Sequence, residues 1–199
     1  MTETGVIHGR FQVLHFKHME YILAAKMRCK KLYIGITNPD MLHVKMSEHD
    51  QNRGTKAGNP LSYLERCEMI RRALREFKVP DSEYEFIPFP ISYPEYITQY
   101  APKDAVYFMG LYDEWDEEKY KTLKGLDLDI HVLWKKDLKD KGITGLQVRG
   151  LIATDQKWSH LVPKSVYAYL TEEQLDKRIG RLELMRIEEK KIIKMEPEE

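Results

Sequence analysis

Apolar positions along the chain follow two alternating rhythms. GVIHG at 5 to 9, KLYIGIT at 31 to 37, YEFIPFP at 84 to 90, AVYFMG at 105 to 110 and DIHVLWK at 129 to 135 are short apolar runs. They favour β-branched and aromatic residues and close on glycine or turn residues, as strands buried on both faces do. Between them lie stretches with helical spacing: His18 to Arg28, residues 61 to 77 with Leu61, Leu64, Ile70, Leu74 and Phe77, and the acidic DEWDEEKYKTL. Strands alternating with helices predict an α/β fold, a doubly wound and mostly parallel sheet of five or six strands with helices on both faces.

Two stretches depart from that rhythm. Asn38 to Pro60 has no period yet joins two clear elements, and an aperiodic connection of that length reads as a lid or binding loop. Lys45, Arg53 and Lys56 within it are candidate contacts for a ligand's phosphate, although loop cations are most often simply solvated. Beyond Pro163, KSVYAYL and the charged EEQLDKRIGRLELMRIEEKKIIKM are both helical. The division expected is a main domain over residues 1–170 and a charged helical extension over 171–199. That extension reads either as a solvated helix packed along the sheet or as an arm for self-association.

Charge changes the picture by exclusion. Lys and Arg number 32, as do Asp and Glu, so no net field draws the chain to nucleic acid or an anionic membrane, and any phosphate site has to be local. Cys29 and Cys67 are too few for a disulfide scaffold and both fall in helical patterns, where a thiol packs as a small apolar group. No apolar run is long enough to span a bilayer and no signal-like segment opens the chain. A soluble protein of the reducing cytoplasm is expected.

The candidate chemistry begins in GRFQVLHFKHMEYI, where His15 and His18 stand three apart at a strand-to-helix turn. At a helix start this spacing puts both imidazoles on one face, beside backbone N–H groups and the positive end of the helix dipole. Arg10, on the strand's exit, adds a guanidinium. Core packing and metal ligation remain alternatives, the second needing a third ligand that no nearby residue supplies. His8, His43, His49, His131 and His160 show no such pairing and read as structural or solvated. Late in the chain, ITGLQVRGLI at 143 to 152 reads as a second helix opening. Thr144 and Gln147 form a capping box there, Gly145 permits close backbone approach, and Arg149 lies on the first turns within reach of an anion. A routine capped helix with a surface arginine is the plainer account of that segment.

Together these segments carry a resemblance. GRFQVLHFKH is similar to the G-R-F-Q-P-x-H-x-G-H signature of the nucleotidyltransferase superfamily, especially archaeal-type nicotinamide mononucleotide adenylyltransferases. ITGLQVRGLI resembles its I-S-x-T-x-I-R element, GNPLSYLERCEMIRRAL its E-N-P-F-x-x-x-E-R-x-x-M-I, and WSHLVPKSV its W-x-x-L-V-P. The likeness spans most of residues 5 to 170. Lys17 stands where the family has glycine, Val13 where it has proline, and Thr144 and Leu146 where it has serine and threonine.

The resemblance implies a Rossmann-like fold and transfer of a nucleoside monophosphate, with release of pyrophosphate. His15, His18 and Arg149 are the expected catalytic residues, the histidines on the transferring and leaving phosphates and the arginine on the β/γ end. Gly9, Arg10, Phe11, Lys17, Ile143, Thr144 and Gly145 are the expected nucleotide contacts. Asn38, Arg53, Tyr112, Trp115 and Trp158 are expected to face the acceptor. ATP and nicotinamide mononucleotide lead as substrates, with Mg2+ carried on the triphosphate rather than held by a protein ligand set. CTP with a phosphate or phosphonate acceptor, and a silent nucleotide-binding regulator, are the competing readings.

Overall fold

The computed structural model describes residues 1–40 and 54–195, apart from the side chains of residues 138, 141 and 192–195. Arg53 and Lys45 of the expected lid, with His43 and His49, lie outside the described residues.

Five parallel strands, β1 (Thr2–Gly9), β2 (Cys29–Thr37), β3 (Tyr84–Phe89), β4 (Val106–Leu111) and β5 (Asp129–Lys135), form one sheet in the order β3-β2-β1-β4-β5. Chain direction across the sheet reverses between β1 and β4, so the crevice beyond their carboxyl ends is the ligand position of a doubly wound sheet. The helices are α1 (Phe16–Lys26), α2 (Tyr63–Glu76), α3 (Glu114–Gly125), α4 (Gly145–Ala153), α5 (Lys164–Glu172) and α6 (Leu175–Met195).

Successive strand residues face opposite sides, and β1 shows it: Ile7 packs under α1, α2, α4, α5 and α6, while Val6 packs with α3 and the 3-10 turn Pro94–Gln99. Helices cover both faces, as expected, but unequally. The α2 boundary is set by Ser62 and Glu65, each accepting the other's backbone N–H in a capping box (3.2 and 2.7 Å). Its buried stripe is Cys67, Ile70 and Leu74, with Met69 and Ala73, whereas Leu64 is exposed. Six residues separate Leu64 from Ile70, a turn of roughly 240° around the axis, so the two cannot share a face. Cys29 likewise corrects the sequence reading, because it opens β2 rather than sitting in a helix; both thiols are buried.

Helix α6 packs on α4 rather than along the sheet. Leu175 and Ile179 join the same apolar cluster as Val148, Val166 and Leu170. Gly180 brings the two helices close: a Cβ there would lie 3.5 Å from Ile152 Cγ2. Among the described residues no helix is long and apolar enough to cross a membrane.

Candidate active site

Strand β1 delivers residues 10 to 15 to the crevice, and α1 starts at once. His15 is its N-cap, in an extended conformation and with no side-chain cap bond. The ring is 4 % exposed and its Nδ1 is buried without a hydrogen-bond partner. An unsatisfied buried nitrogen at the N-terminus of a helix is an arrangement suited to a bound oxyanion. His18 lies one turn on, its ring stacked on His15 at 3.7 Å between centroids and 20° between planes. The spacing brings the two imidazoles face to face at the helix opening. Burial holds His15 down at about 3, so its ring is neutral at ordinary pH and can act as a hydrogen-bonding group rather than a standing charge.

Phe11 shapes the approach. It is buried in the left-handed region (φ 51°), its ring fills the space a Cβ on Gly9 would need, and it sets its edge against His18 at 5.1 Å. Arg10 donates to the Gly58 carbonyl at 3.4 Å, tying the strand exit to the segment before α2. Asn38, also left-handed (φ 50°), follows β2 and donates from Nδ2 to Asn59 Oδ1 at 3.4 Å.

The second helix opening meets the first directly. A Cβ on Gly145, the first residue of α4, would stand 2.4 Å from the Gln12 carbonyl oxygen, so only glycine permits this backbone contact. Thr144 caps the helix, accepting from Gln147 N–H at 3.2 Å, with Ile143 packed against the core behind it. Gly142 (φ 68°) lies against Lys17, whose Cε would be 3.1 Å from a Cβ at that position. Lys17 itself pairs with Glu20 at 2.7 Å.

Arg149 reaches the same turn, but from behind. Its guanidinium is 2 % exposed, donates to the Gln12 carbonyl and faces Glu183 of α6 at 3.4 Å. The expectation of an arginine open to the far end of a triphosphate is corrected. The Gln12 carbonyl and Glu183 are both buried protein acceptors, so in this structure the guanidinium braces the peptide leading to His15. Glu183, only 1 % exposed, is also gripped by Arg186.

On the acceptor side, Tyr112 follows β4 directly and its N–H donates to Asp116 at 3.2 Å. Trp115, half-buried in the first turn of α3, lies under the Lys119 ammonium at 5.8 Å. Both follow the carboxyl end of β4 in the chain. Trp158 does not reach the crevice: the ring is buried in the main core beside Tyr167 at 4.7 Å, beyond the far end of α4, where packing accounts for it.

Gln12 and Arg66 carry structural weight that the motif reading left without a role. The Gln12 amide pairs both ways with Leu61, donating to its carbonyl at 2.8 Å and accepting from its N–H at 2.9 Å. Arg66 is 1 % exposed and donates to the carbonyls of Arg10, Thr37 and Asn38 at 3.1, 2.7 and 2.8 Å, joining the exits of β1 and β2. Burial pushes its guanidinium down to about 10, still charged at neutral pH. Its place in the glutamate–arginine motif was the available signal; Glu183, one acid in a heavily charged helix, offered none.

Known proteins of similar sequence and shape agree with this layout. The profile of the cytidylyltransferase-like family matches residues 6–197. A phosphonoformate cytidylyltransferase of Streptomyces viridochromogenes is 43% identical over 88% of this chain and 95% of its own length. A nicotinamide-nucleotide adenylyltransferase of Thermococcus sibiricus is 26% identical over 89% of this chain and 88% of its own. A bifunctional NMN adenylyltransferase/ADP ribose pyrophosphatase from Francisella tularensis superposes with a TM-score of 0.67 at 16% identity. All of this chain is covered in that superposition but only 58% of the larger protein, and at such identity the likeness speaks for the fold. With two helix openings meeting at the switch point and a family match over nearly the whole length, the chain belongs to the cytidylyltransferase-like family and is a nucleotidyltransferase.

Proposed function

We propose that this enzyme transfers a cytidylyl group from CTP to a small phosphonate or phosphate acid and releases pyrophosphate. The observation that carries the reading is the 43% identity to the phosphonoformate cytidylyltransferase, over nearly the full length of both chains, against 26% to the adenylyltransferase. Adenylyl transfer from ATP to nicotinamide mononucleotide, the leading expectation from motifs alone, becomes the second reading.

In the proposed reaction an acceptor oxygen attacks the α-phosphorus, and the bond from that phosphorus to the bridging oxygen breaks. Pyrophosphate leaves with the bond's electron pair. No protein nucleophile is required, and rate comes from alignment and from donors placed where negative charge grows. His15 and His18 donate to oxygens of the transferring and leaving phosphates. The N-terminal N–H groups of α1 and α4 face the same oxygens, while Arg10, Arg66 and Arg149 hold the loops that carry these donors. Tyr112 and Trp115 border the acceptor.

Among the described residues no three His, Cys, Asp or Glu side chains converge as a metal site, and the site's donor set suits phosphate oxygens instead. A divalent cation such as Mg2+ would arrive on the triphosphate and supply charge neutralisation there.

Pyrophosphate release tests the reading, with CTP and ATP each set against phosphonoformate, other small phosphonates, sugar phosphates and nicotinamide mononucleotide. Turnover with CTP and a small acid is the expected result. Preference for ATP and the mononucleotide would establish the second reading, and triphosphate binding without turnover on any pair would leave a regulator.

A further inference from the structure

Lys17 occupies the second position of α1, between the two histidines of the stacked pair, where the family signature has glycine. Its stem runs along Gly142, and its ammonium is held by Glu20 at 2.7 Å. The phenol of Tyr112, directly after β4, lies within electrostatic reach of both Lys17 and Glu20. The side chain therefore lies between the loop before α4 and the residue that follows β4, at the margin of the turn that carries the histidines.

Given the reaction proposed above, on which this inference rests, we propose that the Lys17 ammonium selects the acceptor by gripping the acid group of a small, multiply charged molecule beside Tyr112. Three observations support it. Gly142, with no side chain and a positive φ, leaves the lane along which the lysine stem lies, so the loop before α4 is shaped around this residue. The Lys17–Glu20 pair is partly exposed on both sides (36% and 42%), and such pairs are weak enough to be exchanged for a better anion. A small phosphonate offers no ring to stack on Tyr112 or Trp115, so its recognition has to come from charge, and a mobile ammonium on a four-carbon stem supplies it. Glu20 is then a competitor that occupies the ammonium when no acceptor is present.

Steady-state kinetics with CTP and phosphonoformate, each varied against a saturating level of the other, tests this in the wild type, Lys17→Gln, Lys17→Gly and Glu20→Gln. Either Lys17 substitution is expected to raise the acceptor KM roughly tenfold to a hundredfold, the range of one lost charge-assisted hydrogen bond, and to leave the CTP KM within about twofold. Glu20→Gln is expected to move the acceptor KM the opposite way, down by about twofold or more, as a competing anion is removed. Opposite signs from the two halves of one surface pair are not what a structural role would give.

An unchanged acceptor KM in both Lys17 variants, or a rise confined to the CTP KM, overturns the proposal while leaving cytidylyl transfer standing. A wild type that prefers nicotinamide mononucleotide, or that is silent with every pair, removes the underlying reaction and the selection with it.

Discussion

His15 is buried, neutral and has an unsatisfied Nδ1, while His18 lies face to face with it. The two rings stack at 3.7 Å between centroids, and in the proposed reaction truncating either removes a donor to the migrating group. With CTP saturating, His18→Ala is expected to lower kcat by about 10² to 10³, the loss typical of a single transition-state donor. Its melting temperature should stay close to that of the wild type, because the ring is only half-buried. Stopped assays beside a thermal melt separate the two effects, and near-normal kcat would remove His18 from the reaction.

At the scale of elements, α6 is tied to the catalytic turn through α4. Glu183 stands between Arg149 and Arg186 in a site closed to solvent, whereas Arg178 of the same helix pairs with Glu65 where both side chains are still partly exposed. A buried charge stripped of its partner is costly and an exposed one is not. Glu183→Ala is expected to destabilise the fold by about 3–5 kcal/mol. Arg178→Ala should cost no more than about 1 kcal/mol. Urea titration of the two variants reads the contrast, and equal midpoints would contradict it.

The same elements show what could be read from the amino-acid order. Among the described residues the five strands, and the helices other than α4, were visible in the rhythm of apolar residues, because each buries a face whose period is fixed by backbone geometry; α4 was visible in its capping residues. The histidine pair and the glycine of the second helix opening were visible for a similar reason, since chemistry and close approach admit few residue types. Arg149 was recognised, but its direction was not: which way a guanidinium turns depends on Glu183, 34 residues further on, and no local pattern encodes that contact. Trp158 misled because an indole is equally suited to stacking on a ligand and to filling a core. Leu64 misled because it is apolar but lies off the stripe.

For the molecule as a whole, two buried imidazoles link stability to acidity. His8, stacked on Phe89 inside the sheet, and His15 are both pushed down by burial to about 3, with the Lys119 charge assisting at His8. In the unfolded chain both rings return toward 6.5, so below that value the unfolded state binds more protons. Their contribution to stability is complete above about pH 6.5 and is lost as pH falls toward 3, at about 1.4 kcal/mol per pH unit for each ring while it lasts. Denaturation midpoints measured from pH 7 to pH 4 should fall steadily, and His8→Phe should flatten the slope. An equally steep profile in that variant would show that other groups govern acid unfolding.

The contact between Gly145 and the Gln12 carbonyl joins parts of the polypeptide more than 130 positions apart. A nascent chain emerging from a ribosome therefore has its histidine turn long before it has the surface that braces it, and Glu183 emerges later still. Competence to hold a nucleotide is acquired only once α4 has been made, and a fragment ending ahead of α4 has half a cleft.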